Sequence, residues 1–160
     1  MSRKMTIVLD VDRCGACHIC ETACSLSREG ECNPALSRVR VRRGEMRETV
    51  LVCQQCEVLF CASVCPKGAI RRDEASGVVL VDESACNGCR ACTRACPYQV
   101  IAFHPDRRKA LICDHCSGDP VCVAWCPRDA LRYTELTASG REEKIKGAEK
   151  AYSLLRKISS

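Results

Sequence analysis

Five short apolar runs punctuate an otherwise polar chain: "TIVLDV" (6–11), "VRV" (39–41), "TVLV" (49–52), "GVVLV" (77–81) and "VIAF" (100–103). Each is too short for a helix and rich in β-branched residues, so each reads as a strand. Between them lie cysteine-dense loops, in which the final three-residue gap between cysteines suits the first turn of a helix. The expected rhythm is strand, cysteine loop, short helix, strand, repeated. "DEASGVV" (73–79) carries the Gly and Ser of a hairpin turn.

A different pattern begins after residue 135. "REEKIKGAEKAYSLLRKI" (141–158) puts Ile145, Ala148, Tyr152 and Leu155 on one helical face and spaces Glu142 and Lys146 as an i, i+4 pair. Gly147 weakens such a helix by about 1 kcal/mol against alanine, so the helix is expected to lean on something. Two supports are open: the chain's own core, or a partner subunit or second copy.

Composition changes the picture through one residue type. Seventeen of the 160 residues are cysteine, far above ordinary usage. Without them the apolar share falls from 46% to about 35%, thin for a domain that must bury a normal core. Something inorganic is expected to fill the middle. The N-terminal stretch lacks the apolar segment of a secretory signal, and no run is long enough to span a membrane. A cytoplasmic protein is the expectation, and a reducing compartment with an odd cysteine count favours metal ligation over disulfides.

Sixteen of the cysteines form four quartets: Cys14, Cys17, Cys20 and Cys24; Cys53, Cys56, Cys61 and Cys65; Cys86, Cys89, Cys92 and Cys96; Cys113, Cys116, Cys122 and Cys126. Cys32 stands outside them and reads as a buried or incidental thiol. An internal repeat closes three quartets, "CPKGAI" (65–70), "CPYQVI" (96–101) and "CPRDAL" (126–131), whereas "CSLSRE" (24–29) lacks the proline and leaves that helix less defined. Asp10 and Asp82 each precede a quartet by four residues. Quartets one and three share the tight spacing C-x2-C-x2-C-x3-C, and two and four are stretched in the middle. That alternation fits pairing of one with four and two with three, and equally one with two and three with four.

Iron in a cubane cluster takes one thiolate on each of four corners. Three cysteines at i, i+3 and i+6 can curl round one cubane, helped by small residues such as Ala16 and Gly88, while in two-cluster ferredoxins the fourth cysteine ligates the other cluster. A zinc ribbon needs two C-x2-C pairs about 15–20 residues apart, but here a third cysteine follows each pair within a few residues and the fourth precedes proline in three of the four quartets. A zinc-binding interaction module is therefore the remote alternative. The formal charge of +5 does not point to nucleic acid: four clusters of about −2 each would move it to about −3, and aromatic residues are only 4%.

Single residues add expectations of their own. Trp125 beside Cys126 is expected to shield a metal site from water, His18, His104 and His115 to make local hydrogen bonds, and Arg38, Arg40, Arg42 and Arg43 to form a basic strand facing solvent or an acidic partner. No phosphate-binding loop and no nucleophile with a paired base is present. The chain reads as a carrier of electrons and not as an enzyme.

With these four quartets the sequence resembles the four-cluster ferredoxin-like electron-transfer subunits of molybdenum- and tungsten-pterin oxidoreductases, the dimethyl sulfoxide reductase B-subunit type, over about residues 5–135. "NPALSRVRV" (33–41) is similar to the small iron–sulfur subunits that accompany tungsten aldehyde:ferredoxin oxidoreductase-type enzymes. The resemblance implies an α+β protein of two nested dicluster 4Fe-4S ferredoxin folds: an outer one over 1–48 and 104–138, an inner one over 49–103, and a helical tail over 139–160. It implies four 4Fe-4S clusters, held by Cys14, Cys17, Cys20 and Cys126; by Cys24, Cys113, Cys116 and Cys122; by Cys53, Cys56, Cys61 and Cys96; and by Cys65, Cys86, Cys89 and Cys92. The implied partner is a catalytic tungsten- or molybdenum-pterin subunit, with a flavin subunit or other redox carrier beyond it. A hydrogenase, formate dehydrogenase or carbon monoxide dehydrogenase is the alternative partner, and copies of the chain stacked into a longer relay are a further possibility.

Overall fold

A computed structural model describes residues 4–44 and 47–156. It is α+β, with eight short strands in four antiparallel pairs and five helices. The apolar runs become strands: β1 (Met5–Leu9), β2 (Arg40–Arg43), β3 (Glu48–Leu51), β5 (Val79–Val81) and β6 (Ala102–Phe103) all lie within or across them. Of the remaining strands, β4 (Ile70–Arg72) and β8 (Leu131–Glu135) follow the short turns after Cys65 and Cys126, and β7 (Ala110–Leu111) ends just before Cys113. β1 pairs with β8, with Leu9 opposite Leu131 and Met5 opposite Glu135, so the two ends of the chain close on one another. The other pairs, β2 with β3, β4 with β5 and β6 with β7, are formed by strands adjacent in sequence.

Each quartet carries a helical turn after its second cysteine: α1 (Ile19–Glu29), α2 (Phe60–Ser63), α3 (Ala91–Ala95) and α4 (Val121–Ala124). Three of these stop within five residues, ahead of Pro66, Pro97 and Pro127, where proline's missing N–H and fixed ring disfavour continuation. At the first quartet Ser25 stands in the proline position, and α1 runs on to a C-cap at Gly30 in the left-handed region (φ 77°). The absent proline thus lengthens that helix; it does not blur it.

The tail forms α5 (Ala138–Arg156), and its packed face is the expected one except at Ile145, with Leu155 also set against the core. Ile145 is 53% exposed, while Ala148 and Ala151 are fully buried and Tyr152 is half-buried, edge-on to Tyr98 at 6.3 Å. The reason is backbone proximity: a Cβ at Gly147 would lie 2.3 Å from the Leu9 carbonyl oxygen of β1. Small residues are what allow α5 to lie against that strand, and so the helix packs on its own chain. Glu142 and Lys146 do not pair with each other among the described residues. The ion pairs of α5 run instead from Arg141 to Glu57, from Glu143 to Arg132 and from Lys150 to Asp12.

Cysteine is part of the interior. The larger core packs Ile7, Leu9, Val11, Val39, Val50, Leu51, Val52 and Leu131 together with Cys20, Cys24, Cys113 and Cys122. No helix of the described residues is long and apolar enough to cross a membrane.

Candidate metal centres

The cysteine loops are curled by residues in the left-handed region: Ala16, His18, Gln55, Gly88, Arg90 and Cys116 all have φ between 46° and 75°. At Gly88 a Cβ would fall 2.4 Å from the Arg108 carbonyl oxygen, so this glycine permits a neighbouring loop to approach. The two repeat units are matched in detail. Asp10 donates its backbone N–H to the Ala130 carbonyl at 2.8 Å, and Asp82 donates its own to the Ala69 carbonyl at 2.7 Å. Both carboxylates cap the loop that follows, Asp10 accepting from the Asp12 backbone and Asp82 from the Ser84 backbone. The same short bond therefore ties the first quartet to the fourth and the third to the second.

Two cavities hold eight of the sixteen quartet thiols. Cys14, Cys17, Cys20 and Cys126 line an empty space of about 350 Å³, with Val41, Val50 and Leu131 in its walls. Cys65, Cys86, Cys89 and Cys92 line another of about 310 Å³, with Ile70, Phe103 and Ala110.

The remaining eight thiols sit deeper, and their mutual charge effects trace two further groups. Burial, with smaller contributions from the neighbouring Cys56, Cys96 and Cys61 thiolates, pushes the Cys53 thiol up to about 12. Burial likewise lifts Cys122 far above its ordinary value, with Cys24 and Cys116 adding to it. Cys113 is raised by burial and then by Cys53 and Cys122. Charge effects also run between thiols of different quartets: Cys20 acts on Cys122, Cys53 on Cys113 and Cys61 on Cys92.

The environment suits a multi-atom metal cluster. Bare thiolates are disfavoured here by burial, so the site calls for a cationic centre to neutralise them. Among the described residues no three His, Cys, Asp or Glu side chains gather as tightly as one metal ion demands; the thiols ring a space. Backbone N–H groups of Arg38, Ala69 and Ala130 donate to the sulfurs of Cys24, Cys65 and Cys126, each at 3.3 Å, the kind of bond that steadies a ligating thiolate. His115, between Cys113 and Cys116, is 1% exposed and has no hydrogen-bond partner on either ring nitrogen among the described residues. Burial holds its pKa down to about 4, so the ring is neutral. A sulfur-rich cluster between those cysteines would supply the acceptor that its N–H lacks.

Other residues divide between expectation and correction. His18 bonds Glu21 at 2.6 Å and Glu48 at 3.2 Å, and His104 accepts from the Arg107 backbone at 3.2 Å, both local as expected. His115 does not follow them. Trp125 is 61% exposed and does not cover the thiols. Cys32 is exposed. The basic run is no uniform solvent face, because Arg38 is buried against Glu29 at 2.8 Å and Arg40 donates to the Pro34 and Ala35 carbonyls, leaving Arg42 and Arg43 outside. One residue escaped the sequence reading altogether. Gln55 donates to the Cys113 carbonyl at 2.6 Å and accepts from the Val79 N–H at 2.7 Å, stitching the second quartet to the fourth. Its only signal is a long amide inside a tight "CQQC" loop.

A family model described as a 4Fe-4S dicluster domain matches residues 45–136. The chain is 37% identical to the polyferredoxin-like subunit of aliphatic sulfonate oxidoreductase from Pyrococcus furiosus, covering 82% of this chain and 79% of that one. It is also 37% identical to the beta subunit of NADH-dependent phenylglyoxylate dehydrogenase from Aromatoleum evansii, over 80% of this chain. The chain spans 30% of that relative's length. Among solved structures, a chain of the BamBC active-site complex of benzoyl coenzyme A reductase with benzoyl-CoA is similar, with TM-score 0.51 and 26% identity over 93% of this chain and 91% of that one.

Proposed function

The chain belongs to the 4Fe-4S dicluster family, and from that premise we infer that it is the electron-relay subunit of an oxidoreductase, carrying four 4Fe-4S clusters in a row. The ligand sets run in the order Cys14, Cys17, Cys20 and Cys126; Cys24, Cys113, Cys116 and Cys122; Cys53, Cys56, Cys61 and Cys96; Cys65, Cys86, Cys89 and Cys92. When bound, each cluster supplies a one-electron couple. The protein's part is to fix the spacing, exclude water and donate hydrogen bonds to sulfur.

The observation that carries this reading is the matched pair of backbone bonds, Asp10 to Ala130 and Asp82 to Ala69. They favour joining quartet one to four and three to two, as two nested ferredoxin folds over 1–48 with 104–138 and over 49–103. The charge effects of Cys20 on Cys122, Cys53 on Cys113 and Cys61 on Cys92 fit a linear order.

The partner in this reading is a catalytic tungsten- or molybdenum-pterin subunit of the aldehyde oxidoreductase type, with a flavin subunit or other carrier at the far end, all in the cytoplasm. It is supported by relatives that are themselves subunits of oxidoreductases. Anaerobic purification of the complex tests both levels. The expected result is a brown chain with about sixteen iron atoms and a co-purified pterin protein. About eight iron atoms would sink the four-cluster relay, and a partner without pterin would sink the choice of enzyme.

A further inference from the structure

One cation of α5 shares a groove with the Cys56 thiol and makes no ion pair among the described residues. Arg141 and Lys150 meet Glu57 and Asp12. Lys144, on the same helix, is half-buried and makes no hydrogen bond or ion pair among the described residues. It lies in the wall of an open groove of about 1480 Å³ whose lining includes Cys56, Arg72, Tyr98 and Ile145. The charged and titratable groups facing it are Cys56, Cys53, Arg72, Glu57 and His115. Arg72 is already engaged, donating to the Cys56 carbonyl at 2.5 Å and to the Gly77 carbonyl at 2.6 Å.

A half-buried ammonium without an acidic partner is costly. Burial disfavours its charge here, while the Cys56 and Cys53 thiolates favour it. A cluster bearing about −2 beneath the groove would give the lysine the anion it lacks.

We propose that Lys144 is the counter-charge of the cluster held by Cys53, Cys56, Cys61 and Cys96, positioned by α5 to make that cluster easier to reduce than its ligands alone would. The proposal rests on the four-cluster reading above. Reduction adds one electron and no proton at this site, so a fixed positive charge stabilises the reduced form more than the oxidised one. The C-terminal helix is in this view a tuning element for a cluster of the other half of the chain, delivered there because Gly147 lets α5 lie flat on β1.

The test is a redox titration of the fully loaded chain followed by electron paramagnetic resonance. Lys144→Met keeps the apolar stem and removes the charge. It should weaken reduction of one cluster about tenfold, which is about 59 mV to the negative for one electron. Lys144→Glu should move the same cluster further, and Lys144→Arg should leave it in place. The cluster that moves must be the one whose signal changes in Cys56→Ser. Four clusters present with none moved by Lys144→Met would overturn the proposal, as would movement of a cluster indifferent to Cys56→Ser. If no signal responds to Cys56→Ser, the four-cluster reading falls and this one with it.

Discussion

Around β1 and β8 the protein supplies much of its own interior: Ile7, Leu9, Val11 and Leu131 are almost wholly buried, under the 11 residues of α1 and the 19 of α5. Around β4 and β5 the buried residues reduce to Ile70, Val79, Cys92, Ala110 and Ile112, and the helices to the four and five residues of α2 and α3. One fold motif is thus built twice with different materials. Apolar side chains hold the half made from the chain ends, and thiols must hold the half made from its middle. Helices of four or five residues have no stability of their own, so order in the middle depends on what the cysteines grip.

Removal of iron should expose that difference most strongly. Anaerobic chelation is expected to collapse the far-ultraviolet circular dichroism, with amide exchange complete at β4 and β5 while β1 and β8 keep part of their protection. Equal exchange in both halves would erase the distinction. Single ligands should separate them next. On the cross-ligation reading, Cys96→Ser should lose the cluster of Cys53, Cys56 and Cys61 before that of Cys86, Cys89 and Cys92, whereas Cys126→Ser should damage the site of Cys14. Iron content and the surviving signals would tell, and loss of the Cys86 cluster first would break the rule.

Smaller effects belong to the end-built half alone. Gly147→Val drives a side chain against the Leu9 carbonyl and should cost about 1–3 kcal/mol, read as a lower melting temperature with iron content unchanged. A pH effect comes last. The Glu21 hydrogen bond, followed by that of Glu48, raises the His18 pKa above its ordinary 6.5. Its contribution is therefore full below about 6.5 and fades as pH rises through the raised value. His18→Gln should flatten that slope in melting temperature, and an unchanged slope would remove His18 from the account. With the side chain 46% exposed, the effect is small.

Much of this was legible in the chain. β-Branched runs gave the strands, because short apolar segments bounded by loops have little else to become, and the three-residue gaps gave the helical turns. The length of α1 was not legible, since it depends on what Ser25 permits in place of proline. Nor was the exposure of Ile145 on α5, where the approach of the β1 backbone favours Gly147, Ala148 and Ala151 over a larger side chain. Spacing alone fitted two pairings of quartets equally, and bonds such as that from Asp10 to Ala130, which favour one of them, are tertiary. Isolation of His115 and exposure of Trp125 are tertiary facts that their neighbours in sequence do not encode.

The closure of β1 on β8 also sets an order of manufacture. As the chain leaves the ribosome, Cys14, Cys17 and Cys20 emerge first, yet the cavity they line is not complete until Cys126 has been made. Cys65, Cys86, Cys89 and Cys92 lie close together in the sequence and are all available well before then. On the four-cluster reading, Cys14, Cys17 and Cys20 would therefore be the last of these thiols to be loaded. They need protection from oxidation longer than any others, and a truncated chain that stops short of Cys126 would carry them permanently unfilled.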